Sequence, residues 1–279
     1  MRHTISFVKY FTILSLFIVQ QVFANDKISE GEVYSYLELS GVKASIQSIP
    51  SQVEAMYAQM QLTSKDPKKD KLIMSALLDS WQEDKVNQQI IQSIQAQMTK
   101  AEMTELLAWL NTDSVRLIKG EELKATAADF PQALMGYMAN IQSNPPTPER
   151  QALTRSFIDS TKMTENAVKI AMAIVENMFN SMRLAMPEKK IPDEQINQQL
   201  TQMRAMMQQM MDQQMMMTAY YLYKDISDAD LANYTKFYQQ PLGQKELDVV
   251  YGGFLKGMNV WGDDIAKVLV AAIKEKTSN

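Results

Sequence analysis

Residues 196–223 carry the most regular alternation of apolar and polar positions in the chain. Steps of four and three give Ile196, Leu200, Met203, Met207, Met210, Gln214, Met217 and Tyr221, a seam interrupted only by Gln214. That period is helical. The stretch contains no Gly and no Pro, and most of its residues favour helix. From Met215 onward apolar residues occur on nearly every side, the pattern of a helix enclosed by others. The pattern predicts a long helix as the spine of an all-α protein with no β-sheet.

The same period predicts helices over 30–40, 43–62 and 67–97, the last opened by Asp66 as cap and Pro67 at the first helical position. Thr99-Lys-Ala-Glu102 is a capping box. It opens a helix carrying Leu106, Leu107, Trp109 and Leu110, and further helices are expected over 115–127 and 130–141. Strand signals are nearly absent: there is no Asn-Gly hairpin and no sustained β-branched alternation. Asn144-Pro145-Pro146-Thr147-Pro148 is the strongest punctuation. We expect it to join two similar multi-helix halves, 25–145 and 146–279, packed together. Ile46, Val53, Met56, Tyr57 and Met60 recur 122 positions later as Val168, Val175, Met178, Phe179 and Met182. Thr99, Glu102, Leu106 and Trp109 recur 128 positions later as Ser227, Asp230, Tyr234 and Phe237. The loop 186–192 would absorb the change of register.

The start of the chain reads as an export signal over 1–24. Arg2, His3 and Lys9 precede a mainly apolar run, and Val22-Phe23-Ala24 resembles a signal-peptidase site. Cleavage after Ala24 would deliver the protein to a Gram-negative periplasm with no transmembrane anchor. Loss of Arg2 and Lys9 takes the net charge from −4 to −6, which argues against nucleic acid as a partner. The remaining chain has neither Cys nor His. That excludes disulfides, Cys/His zinc sites and His-dependent nucleophilic catalysis.

The C-terminal quarter contains Ile226-Ser-Asp-Ala-Asp-Leu231 followed by Phe237-Tyr-Gln-Gln-Pro-Leu-Gly-Gln-Lys245. Over roughly 203–273 this resembles the domain-of-unknown-function 2059 family, whose signature is aromatic-Tyr…Pro-x-Gly-x-Lys. Phe237, Tyr238, Pro241, Gly243 and Lys245 stand at its positions, and Gln240 stands where Ser is commoner. The first half echoes it with Asp113 and Val115 in place of Pro and Gly. The resemblance implies a small helical domain behind an export signal and brings no agreed activity. From the residues alone, the motif is a structural corner: Pro241 ends one helix and starts the next, and Gly243 lets backbones approach.

Three chemistries are open. Clustered methionines are an adaptable apolar seam, a groove for a protein, peptide or lipid partner, or a Cu(I) site using Met203, Met206, Met207, Met210 and Met211. Paired carboxylates could serve a glycosidase-like enzyme, but Glu121-Glu122 and Asp263-Asp264 are adjacent and diverge around a helix, so they read as solvated. The C-terminal aromatics, Tyr220 to Trp261, read as core rather than a sugar platform. No cofactor is implied. The leading expectation is a non-catalytic periplasmic binding or interaction module with a Met-rich apolar face or core.

Overall fold

The computed structural model describes residues 27–62, 64–141, 143–185 and 192–278. The expected signal 1–24 and the loop 186–191 lie outside the described residues. The described chain is all-α with no β-sheet. Its helices are α1 (Glu30–Leu39), α2 (Val42–Gln47), α3 (Ile49–Gln61), α4 (Pro67–Asp79), α5 (Glu83–Gln97), α6 (Lys100–Leu110), α7 (Asp113–Leu123), α8 (Phe130–Ile141), α9 (Pro148–Ser160), α10 (Met163–Ala185), α11 (Asp193–Leu222), α12 (Asp228–Tyr238) and α13 (Pro241–Ser278). None is long and apolar enough to cross a membrane.

Caps place most of the boundaries. Thr99 and Glu102 form a reciprocal capping box on α6, as Ser29 and Glu32 do on α1. Thr147 accepts from the Arg150 N–H with Pro148 behind it, and Ser227 accepts from the Asp230 N–H. Two expected helices are broken. The one expected over 43–62 is interrupted at Ser48, because Pro50 has no N–H for the Ile46 carbonyl. The one expected over 67–97 is interrupted at 80–82, where Ser80 Oγ turns back to the Ala76 carbonyl and Trp261 Nε1 donates to Ser80 Oγ and the Leu77 carbonyl.

The spine is α13, not the Met-rich helix. At 38 residues α13 would extend about 57 Å at ~1.5 Å per residue. It lies along both α5 and α10 and also reaches α4 and α12. Glycine sets the α13–α5 spacing. A Cβ at Gly253 would stand 2.7 Å from Ile90 Cα, and one at Gly257 would stand 2.9 Å from Val86 Cγ1. Val86 and Ile90, also four apart, are buried against this stripe. One apolar cluster runs from Ile28 to Ile265 and draws on both sides of the Pro145–Pro148 loop.

α11 lies against α10, α9 and α8 and surrenders only part of its surface. The expected seam is shifted along it. Met210 and Gln214 are exposed, while Met211 and Met215 are half-buried with Met203 and Met207. The inward line therefore follows a four-residue ridge, which slants across the helix axis.

Candidate functional site

None of the eight methionines from Met203 to Met217 is buried, and Met206 and Met210 are each 66% exposed. Two ion pairs also tie the helix to its neighbours. Arg155 of α9 makes a two-pronged contact with Asp212 at 2.6 and 3.0 Å, and Arg204 reaches Glu176 of α10 at 2.8 Å. The Arg155 guanidinium, as hydrogen-bond donor, holds the Asp212 carboxyl below its ordinary range. Met215 and Met216 pack on the core, whereas the strip including Met206 and Met210 faces outward. All five thioethers singled out for Cu(I) lie on this one helix, three half-buried and two exposed.

Next to α11 sits α8. α8 has no charged residue and no buried residue. Phe130 and Tyr137 lean on Tyr221 of α11, with ring centroids 5.8 and 5.5 Å apart. Met135 and Met138 point away from the fold, 69% and 42% exposed. The available signal was the charge-free run Phe-Pro-Gln-Ala-Leu-Met-Gly-Tyr-Met-Ala-Asn-Ile.

The family-like motif forms a tight corner between α12 and α13. A Cβ on Gly243 would stand 2.3 Å from the Phe237 carbonyl oxygen and 2.8 Å from Tyr238 Cα, so only glycine fits. Phe237 stacks on Trp109 with centroids 3.6 Å apart and planes at 14°, and Tyr238 stands edge-on to the same indole. Lys245 crosses to Glu102 on α6 at 2.7 Å. That contact, with the Thr99 cap, lowers the Glu102 carboxyl. Pro241 itself is exposed at the first position of α13.

Behind this corner is a half-buried polar group that sequence reasoning missed. Glu122 Oε1 accepts from the hydroxyls of Tyr223 at 2.8 Å and Tyr234 at 3.0 Å, and Oε2 accepts from Lys119 at 2.8 Å. Burial opposes the charge on Lys119, yet the Glu122 carboxylate, together with Tyr238 and Glu246, outweighs it and holds the ammonium above its ordinary range. Burial likewise pushes the phenols of Tyr36, Tyr223 and Tyr234 well up, and the Tyr251 hydroxyl up to about 12. Tyr36 donates to Glu246, whose carboxyl is pushed up by burial. The carboxylate pairs are thus not the solvated faces expected. Glu122 is 24% and Asp264 18% exposed, and Asp264 bridges Lys85 and Lys267. Burial is tolerated here because each has cationic or phenolic donors. Asp263 alone of the four is exposed. Among the described residues no three His, Cys, Asp or Glu side chains converge on a possible metal position.

The chain matches no protein-family model, no curated protein and no solved structure.

Proposed function

We propose that this is an exported, non-catalytic interaction module that presents Met-lined apolar surface to an amphipathic segment of a partner protein. The observation that carries the reading is α8, a charge-free helix held against α11 with Met135 and Met138 directed outward. Unbranched thioether side chains adapt to varied apolar shapes, which suits such a surface. Met206 and Met210 extend the same chemistry along α11. The reading includes the domain-of-unknown-function 2059 resemblance and descent of the two halves from one unit. Supporting the latter, α6 and α12 are both eleven residues long, and their equivalent aromatics Trp109 and Phe237 stack on each other.

The test is fluorescence of a hydrophobic probe with native, monomeric protein. Saturable enhancement is expected, with most of it lost in the Met135→Gln/Met138→Gln variant. A native sample that leaves the probe dark removes the proposal. A Cu(I) role draws on the Met203–Met211 strip alone, and a chelator competition under reducing conditions separates it from the surface reading.

A further inference from the structure

A cavity of about 250 Å³ lies between the α1–α2 corner and α13, with Lys119 and Tyr238 completing its lining. Its walls are mainly apolar: Val42, Ile46, Leu247, Val250 and Phe254. One polar group in the wall is out of balance. Glu246 is 7% exposed, and only its Oε1 is engaged, by the Tyr36 hydroxyl. Oε2 is buried and accepts no hydrogen bond. A buried carboxylate oxygen without a donor is costly, and native proteins rarely leave one.

The surrounding charges sharpen the point. Lys119 is bonded to Glu122, and Glu122 spends its other oxygen on Tyr223 and Tyr234. Lys119 also lines the cavity and attracts Glu246, but its ammonium donates to Glu122 and leaves Glu246 Oε2 without a donor of its own. A cation would neutralise the Glu246 carboxylate and supply the missing donor in one step. We propose that the cavity binds a small organic cation: a primary ammonium that donates to Glu246 Oε2, carrying a short tail that lies on the apolar walls. The space holds roughly eight groups of water size, at about 30 Å³ each, which limits the tail to a few carbons. This site is separate from the α8 and α11 surface and would stand if that surface had no partner.

The experiment uses the full chain with three probes of equal tail length: n-hexylamine, n-hexanol and hexanoate. Calorimetry at neutral pH is expected to show saturable binding of hexylamine at least tenfold tighter than hexanol, with no binding of hexanoate. Glu246→Gln should weaken hexylamine at least tenfold. Ser45 is exposed and lines the cavity from α2. Ser45→Trp is therefore compatible with the fold and should abolish binding by filling the opening. Should Glu246→Gln fail to fold, the three-probe comparison and Ser45→Trp decide the matter. Equal binding of hexanol and hexylamine, preference for hexanoate through Lys119, no binding at all, or indifference to Ser45→Trp each overturns the proposal.

Discussion

Adding one methyl group at Gly253 should weaken the protein, while the same addition one residue earlier should strengthen it. A Cβ at Gly253 meets Ile90 Cα at 2.7 Å, the Gln89 carbonyl oxygen at 3.0 Å and Ser93 Cβ at 3.1 Å. Carbon atoms in contact prefer roughly 3.5–4.0 Å, so α13 and α5 must part by about 1 Å. Two of the three neighbours are backbone atoms and cannot swing aside. Overpacking of this kind costs about 1–3 kcal/mol, and a rigid neighbour places it at the upper end. Alanine recovers about 1 kcal/mol over glycine in a helix interior. The net expectation for Gly253→Ala is a loss of about 2 kcal/mol, or roughly 4–8 °C in Tm for a chain of this size. A Cβ at Gly252 meets nothing within 4 Å. Gly252→Ala therefore keeps only the helix preference, a gain of about 0.5–1 kcal/mol. Urea unfolding followed by tryptophan fluorescence reads both, since Trp261 sits on α13 and meets Trp81 edge-on at 5.0 Å. If Gly253→Ala proves as stable as Gly252→Ala, glycine does not set the spacing of α13 on α5, and the packing argument fails.

Two further outcomes follow from Glu122 and Glu246. Glu122→Ala strands the Lys119 ammonium, which is 14% exposed, along with two phenols. A loss of about 3–5 kcal/mol is expected in urea unfolding. Adding Lys119→Met should recover part of it, and an equally unstable double variant would show the pair is not coupled. Glu246→Gln tests the raised carboxyl, which Tyr36, Lys119 and Glu122 surround. Its folded-state pKa lies above the unfolded value of about 4.3, so its contribution is full below that pH and fades as pH rises through the folded value. Stability of wild type relative to the Gln variant should therefore fall as pH rises above about 4. A difference independent of pH would contradict the burial of Glu246.

Much of the architecture could be read from residue pattern because caps and prolines act locally. α8 falls on the expected residues 130–141, and the caps at Thr99, Thr147 and Ser227 open α6, α9 and α12. The breaks at Ser48 and at 80–82 were missed for different reasons. Pro50 is a local signal, since it removes the N–H that would carry the helix past Ser48, whereas the second break depends on Trp261 arriving from far along the chain. The Met-rich helix is not the spine because its apolar period marks a helix without fixing how fully neighbours enclose it, and Met215 to Met217 are only half-buried. Glycine spacing in 253–257, which permits backbone contact, was the better guide. Glu246 was overlooked because a lone acid on a helix is usually solvated. It stands four residues after Leu242 and four before Val250, on an apolar stripe, and that position was the legible clue.

The glycine stripe on α13 also bears on the order in which the molecule can assemble. Val86, Ile90 and the rest of that α5 face have no cover until a helix encoded far downstream leaves the ribosome. Through that interval the nascent chain carries an open hydrophobic ledge, and a holdase would have a target there for as long as synthesis lasts.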